Sequence, residues 1–573
     1  MQRAFFAFRR LPLVGWAALL AALLWLGPLA ATAQTWDWLT VGRTPFPSQA
    51  GGVATDRAGN VFVAGSFNYR LSWPGLLSIG TGFNSAYIVK LTPTGQPLWQ
   101  QTVTGGTSGT GPLAVDSAGN VIAIITFYDS VYFGNQLVRN PADGDNFIVA
   151  KLDGQTGAWL WATPAGGPRR AKVQDVALNP AGDVFVVGGY VDSARFGGQL
   201  LVNVQTPVNT YFSLFVAGIN GRTGAWSFAR GASGVRHGVT AGGICVDAAS
   251  NVYIGGKYFS RQPIVLDSAF SLPLTPIGSS TSSFVAKLSP LQGWQWVAAV
   301  PVTPMVNRVE LNELAWGSSG RLATAGVFAG SATFGVTTLQ VSPPNNRLFV
   351  AEIDQNGTWQ WAVDNGGPVG GNNLPITIRP LPNGGLALAG ENVEQFGPHT
   401  APAPFGSSTN VYAAALNANH QWVWAAGSGG SGSGGGFRMF AGMDIDPSGR
   451  LTLVGATSGR SGTAPVFSFG SLAVPDTGVY VVRLSPPPVG RAEEEAPDAP
   501  LRVWPNPATG TAWVRGGSGA VTLTDALGRV VLTQAPAADP AADLRLDVRA
   551  LPPGMYTVRR GAVARRLVVS LNE

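Results

Sequence analysis

The stretch Gly59-Asn60-Val61-Phe62-Val63-Ala64-Gly65 limits the folds open to this chain more than any other feature, because versions of it return along the sequence. Related stretches begin at Gly119, Gly182, Asn251, Gly320, Gly384 and Gly449, roughly 60 to 70 residues apart. A short apolar run and a turn precede them, as in Asp56-Arg57-Ala58-Gly59 and Asp116-Ser117-Ala118-Gly119. Asp bonds its own downstream backbone and Gly takes the positive φ of a tight hairpin, so each copy reads as the second of two paired strands. A variable stretch follows, often with Phe-Gly (Phe133-Gly134, Phe196-Gly197, Phe334-Gly335, Phe396-Gly397, Phe469-Gly470), and then a third strand such as Tyr87–Leu91 or Phe147–Leu152. A short aromatic strand comes fourth: Leu98-Trp99, Trp159–Trp161, Trp226–Phe228, Trp294–Trp296, Trp359–Trp361 and Trp422–Trp424. Four short strands at this period match a β-propeller blade better than a solenoid. Repeats with helices are excluded, since no ten-residue stretch shows a 3.6-residue apolar period.

Seven units supply three strands each, but only six aromatic fourth strands follow them, because the seventh runs from Leu484 into Ser485-Pro486-Pro487-Pro488. Trp36-Asp37-Trp38 stands near the start with no unit before it. The arithmetic places it beside Tyr480–Leu484, completing the last blade and protecting two strand edges. The expected fold is all-β, a seven-bladed β-propeller with an N-terminal strand closing the last blade, plus a small C-terminal β-sandwich. Alternation puts both Trp residues of each pair on one strand face. Twelve of the 18 Trp lie in these strands, so packing between adjacent blades is preferred to a set of sugar-stacking platforms. Lys90, Lys151 and Lys287 share a repeat position with Gly218, Glu352, Ala415 and Arg483. That mixture reads as a solvated position rather than a basic ring.

The formal net charge of +6 does not mark a nucleic-acid binder, because the charge is segregated. Arg3, Arg9 and Arg10 belong to the first 33 residues, and residues 500–573 hold nine Arg against five acids, which leaves the body near neutral. No nucleic-acid partner is expected. Residues 1–33 read as a signal peptide, with a basic start, an apolar run from Leu11 to Leu29 and small residues at Ala31 and Ala33. Cleavage between Ala33 and Gln34 leaves no stable transmembrane segment. The single cysteine, Cys245, lies in an apolar run and reads as a buried hydrophobe rather than a reactive thiol.

Signals for catalysis are sparse. The three histidines, His237, His399 and His420, fall in different repeats without metal-ligand spacing. Asp143-Gly144-Asp145-Asn146 offers oxygens for calcium but is shorter than an EF-hand loop, and a polar turn is the better reading. Gly430–Gly436 reads as a flexible loop rather than a phosphate cradle, since no helix follows it. No cofactor is expected. A pair of carboxylates assembled across blades would be invisible at this stage.

The unit Asp-x-x-Gly-Asn-Val, then Phe-Gly, then Phe-Val-Ala-Lys-Leu, then Trp-x-Trp resembles the bacterial β-propeller repeats called SBBP, over residues 36–485. Units five and six depart furthest from it. The resemblance implies a propeller and no particular activity. Residues 486–500, with Pro486, Pro487, Pro488 and Glu493-Glu494-Glu495, read as an extended linker. Beyond it, Pro505-Asn506-Pro507, Asp525 with Gly528, and Gly554 with Tyr556 follow in the order of the C-terminal type A sorting domain of the type IX secretion system, which residues 501–573 resemble. That implies passage through the periplasm and across the outer membrane by the type IX machinery, to the cell surface or medium. The function expected for residues 34–485 is binding or adhesion to an extracellular glycan or protein without catalysis. The alternatives are a secreted polysaccharide hydrolase or lyase and a structural envelope component.

Overall fold

The computed structural model describes residues 34–486 and 502–570 apart from 81, 83, 141–143, 204–211, 233–236, 261, 274, 276–280, 301–307, 318–319, 343–344, 370–375, 402–409, 432–436, 459–465, 475–476, 516–519, 526–528, 536–542 and 561–562. The expected leader and Ala33 therefore lie outside the described residues, as do His237's side chain, Asp143 and Gly528. The chain divides into two compact units, one up to Pro486 and one from Pro487.

In the first unit, antiparallel four-strand meanders follow one another. Sheet 1 holds Gln49–Thr55, Val61–Phe67, Ser85–Leu91 and Pro97–Thr102. Sheet 2 holds Ser108–Val115, Val121–Phe127, Asn146–Leu152 and Trp159–Ala165. Sheet 3 holds Ala171–Leu178, Val184–Tyr190, Ser213–Ile219 and Trp226–Gly231; sheet 4 holds His237–Val246, Val252–Ser260, Ser282–Ser289 and Gly293–Val300. Sheet 5 holds Arg308–Trp316, Leu322–Phe334, Arg347–Ile353 and Trp359–Asp364; sheet 6 holds Ile376–Pro380, Leu386–Glu391, Val411–Leu416 and Trp422–Gly427. In sheet 7, Phe437–Ile445, Leu451–Ser458 and Thr477–Ser485 are joined by Thr35–Arg43 in the fourth place. There Trp36 pairs with Leu484 and Trp38 with Arg483, with a bulge between them. Trp159 and Trp161 pair with Leu152 and Lys151 across the same kind of bulge in sheet 2.

Second and third strands are largely apolar, as in Val61–Phe67 and Ser85–Leu91, and both are buried from end to end. Such strands need cover on both faces. Neighbouring sheets supply it: Phe62 and Ile88 pack with Ile125 and Ile148, and Val63 and Val89 pack with Val454 and Val481 of sheet 7. Each side chain so buried contributes about 1.5–3 kcal/mol. The core thus lies between sheets, and the first strand of each sheet lies beside that of the next, with Phe437–Ile445 beside Gln49–Thr55.

The Asp-x-x-Gly-Asn turns work as the sequence suggests. Asp56 accepts from the Ala58 and Asn60 backbone N–H groups at 2.9 Å, and from the Asn60 side chain at 2.7 Å. Asp116 repeats the pattern. The Phe-Gly stretches are more ordered than a variable loop. They form small hairpins between second and third strands, such as Val131–Phe133 with Gln136–Val138, and their glycines turn at φ near +60°. The Phe packs on the first Trp of its own unit: Phe133 lies 4.6 Å from Trp159, and Phe469 lies 4.6 Å from Trp36. Part of the Gly430–Gly436 run is likewise strand, since Gly429–Ser431 pairs with Val466–Phe469.

The second unit holds two sheets. Arg502–Trp504, Thr511–Arg515 and Leu544–Asp547 form one; Val530–Gln534, Val521–Thr524, Gly554–Arg560 and Val563–Val569 form the other. Val514 and Leu546 of the first share a core with Leu523, Val558 and Leu567 of the second. No helix among the described residues is long and apolar enough to cross a membrane.

Candidate functional site

Each meander has two ends. Turns joining strands one to two and three to four lie at one end, and loops joining two to three and four to the next sheet lie at the other.

The turn end is bonded from sheet to sheet. Lys90 Nζ donates to the Gly154 carbonyl at 2.7 Å, and Trp99 Nε1 donates to the same oxygen at 3.3 Å. Lys151 and Trp161 share the Gly221 carbonyl at 3.0 and 3.2 Å. Arg483 and Trp38 share the Pro93 carbonyl at 3.2 and 3.0 Å, so the N-terminal tryptophan does in sheet 7 what Trp99 does in sheet 1. The tryptophans press on the glycine of the next turn. A Cβ on Gly95 would sit 2.6 Å from the Trp38 ring, and only glycine fits there. The lysine position is therefore not solvated: Lys90, Lys151, Glu352 and Arg483 are all buried. Lys90, Lys151 and Arg483 each satisfy a carbonyl of the neighbouring sheet, whereas Lys287 lies over the Tyr253 ring and Glu352 accepts from Trp361 Nε1 at 2.9 Å. Sheet 5 differs also in that Trp361 stacks on His420, 3.8 Å between rings, where other turns hold glycine.

First strands of all the sheets surround a cavity of about 360 Å³. Bulges after Val173 and Leu311 re-aim Asp175 and Glu313, and both line it. Polar bonds run round it from sheet to sheet. Asp175 accepts from Ile244 N at 2.9 Å, and Cys245 Sγ lies 3.4 Å from the Leu314 carbonyl. Glu313 meets Arg379 Nη1 at 2.7 Å, and Arg379 Nε lies 3.5 Å from Asp444. Asp444 in turn accepts from Thr55 N at 2.7 Å. Glu313 and Asp444 thus share one guanidinium, Asp175 adds its charge nearby, and all four side chains are partly buried. Burial pushes Glu313 up to about 8 against the pull of Arg379, with Asp175 adding to the rise. Burial also raises Asp175 and Asp444, and Arg379 is held above its ordinary value by the surrounding carboxylates despite its own burial. Cys245 is buried as expected and its thiol is raised well above the ordinary range, which suppresses the reactive thiolate. Sequence reasoning missed this belt.

At the loop end, Phe46, Tyr69, Tyr128 and Phe259 are each about half exposed, and Phe46 and Tyr69 stack with 5.1 Å between rings. Of the calcium candidate, Asp145 lies 3.5 Å from Arg170, and Asn146 is fully buried and holds Gly167 through N–H and carbonyl bonds. His399 lies 3.1 Å from the Trp422 carbonyl. No cluster of His, Cys, Asp or Glu suited to a metal occurs among the described residues.

In the second unit Asn506 accepts from Val568 N at 2.8 Å and donates to the Arg566 carbonyl at 2.9 Å, fastening the segment between Pro505 and Pro507 to the last strand. Asp525 closes its turn by accepting from Arg529 N at 2.9 Å, and Tyr556 Oη donates to the Pro552 carbonyl at 2.7 Å, beside Gly554.

Residues 502–569 match the family of secretion system C-terminal sorting domains. The tail is a type IX sorting domain, which marks the protein as exported to the cell surface or beyond and as a client of that machinery. No curated protein matches the sequence. Solved structures with similar strand architecture include the Dos1 propeller, at 10% identity and TM-score 0.34 over 78% of this chain and 95% of that one. Virginiamycin B lyase from Staphylococcus aureus has 9% identity and TM-score 0.33, over 78% of this chain and 99% of its own. An α-L-arabinanase from Penicillium chrysogenum has 11% identity and TM-score 0.35, over 65% and 91%. These are likenesses of strand architecture only.

Proposed function

We propose that residues 34–485 are a seven-bladed β-propeller of SBBP-type repeats whose last blade is completed by the N-terminal strand. Residues 486–500 link it to a sorting β-sandwich at 501–573, and a leader cleaved between Ala33 and Gln34 starts its export. The pairing of Trp36 and Trp38 with the third strand of sheet 7 supports this closure. At the cell surface the propeller binds an extracellular glycan or protein without transforming it. The observation that carries this reading is the loop end, where aromatic side chains stand exposed on segments that the repeat leaves free.

The second reading, a polysaccharide hydrolase or lyase, draws on the convergence of Asp175, Glu313 and Asp444. A carboxyl held protonated beside ionised ones is what general acid catalysis needs. Against it, these carboxyls are engaged by neighbouring sheets through Ile244 N, Arg379 and Thr55 N. A glycan-array screen of the chain from Gln34 onward, with parallel product-release assays, separates the two. Binding without release supports the first reading. Release that disappears in Glu313→Gln replaces it with the second.

A further inference from the structure

The loop end carries one cleft with chemistry of its own. It lies where the segments around Tyr128 and Gly144, between the second and third strands of sheet 2, meet the connection from sheet 2 to sheet 3, and its volume is about 450 Å³. That volume falls within the range of small-ligand sites, roughly 300–1,000 Å³. Its lining includes Tyr128, Asp145, Pro168, Arg169, Arg170 and Val191.

The walls are fixed by backbone bonds. Asp145 and Arg170 form an isolated parallel bridge, Ala171 N donates to the Asp145 carbonyl at 2.8 Å, and Val191 N donates to the Arg170 carbonyl at 2.8 Å. Gly144 packs so closely on the Arg169 carbonyl that a Cβ would lie 1.5 Å from its oxygen. Asn140 donates its side-chain amide to the carbonyls of Tyr128 and Gly144. A cleft held this way pays little ordering cost on binding.

Its charges are unequal. Arg170 is directed by Asp145 at 3.5 Å and by the Phe212 ring at 6.0 Å, whereas the neighbouring Arg169 is exposed with its guanidinium in no ion pair or side-chain hydrogen bond among the described residues. Among the described lining residues two guanidinium groups stand against one carboxylate, a net single positive charge, in a chain with only 12% charged residues. A guanidinium fork matches a planar carboxylate. Tyr128, 51% exposed, offers an aromatic face, whose negative quadrupole attracts the C–H groups on one side of a sugar ring.

We propose that this cleft binds a uronic acid residue of an extracellular polysaccharide, with Arg169 on the carboxylate and Tyr128 against the ring. The assignment rests on the binding reading above and names its ligand class.

Isothermal titration of the chain from Gln34 onward with oligogalacturonate, oligoglucuronate and oligomannuronate tests it, with methyl-esterified oligogalacturonate as the neutral control. At least one acidic oligomer is expected to bind, the ester to bind far more weakly, and affinity to fall as salt rises from about 0.05 to 0.5 M. Arg169→Gln and Tyr128→Ala are each expected to weaken binding about ten-fold or more. Both side chains are exposed, so melting temperatures should stay close to the parent's. Equal binding of acid and ester overturns the proposal, as does affinity unchanged in Arg169→Gln, or no binding of any uronate oligomer at millimolar concentration. In those cases a positive glycan array with other glycans leaves the general binding reading standing, and a blank array removes that too.

Discussion

At the turn end of the sheets a lysine or arginine and a tryptophan reach from one sheet to a single backbone oxygen of the next, at Gly154, at Gly221 and at Pro93. At the loop end Phe46, Tyr69, Tyr128 and Phe259 face outward instead. The difference explains which residues recur in the sequence. A side chain that must satisfy a neighbour's buried carbonyl is bound by the repeat geometry, since an unmet buried acceptor costs about 1–3 kcal/mol. A loop side chain has no recurring carbonyl of a neighbouring sheet to satisfy, so its identity varies from one repeat to the next.

The sharpest way to break the turn end is to remove residues 34–40. Loss of Trp36 and Trp38, at about 3–5 kcal/mol for each large aromatic, should lower stability by at least about 6 kcal/mol. An unchanged thermal melt would refute the shared sheet. Next in size is Arg483→Met. Arg483 is fully buried, 3.2 Å from Asp446, and bonded to Thr452 and to the Pro93 carbonyl. Breaking such a buried pair should cost about 3–5 kcal/mol by urea denaturation, and a loss below 1 kcal/mol, the scale of surface pairs, would show that the junction of sheets 7 and 1 does not depend on it.

A smaller effect concerns the belt of carboxyls. Because Glu313 and Asp175 are raised in the folded protein, it holds protons that the unfolded chain releases. Their contribution to stability is therefore flat below the ordinary carboxylate range, falls as pH rises through it, and levels above about 8. Denaturation midpoints should be lower at pH 8 than at pH 5, and Glu313→Gln should reduce that difference; an unaltered difference in the variant would remove Glu313 as its source. The smallest effect belongs to the loop end. Tyr69→Ser should change stability by less than about 0.5 kcal/mol, and a larger loss would mean that the loop end is built like the turn end.

The repeat, its turns and the role of Trp36-Asp37-Trp38 were legible because each depends on local chemistry or on counting. Asp56 and Asn60 state their turn within five residues, and the sorting tail states itself through Asn506, Asp525 and Tyr556. The burial of Lys90 was not legible, because the partner that justifies it, the Gly154 carbonyl, belongs to another unit. The belt was hidden for the same reason. Glu313 and Arg379 are 66 residues apart, and only sheet-to-sheet packing brings them to 2.7 Å. One signal was available: charged residues in first strands, at Glu313, Arg379 and Asp444, recur about one repeat apart.

The pairing of Thr35–Arg43 with Thr477–Ser485 has a consequence for how the protein is made. The first strand of this unit waits for the unit's last strand, and the sorting domain is encoded after that late strand. A ribosome that stops early leaves a product lacking both the partner for Trp36 and the export address. Only a chain able to finish its own architecture carries the sorting domain at its far end.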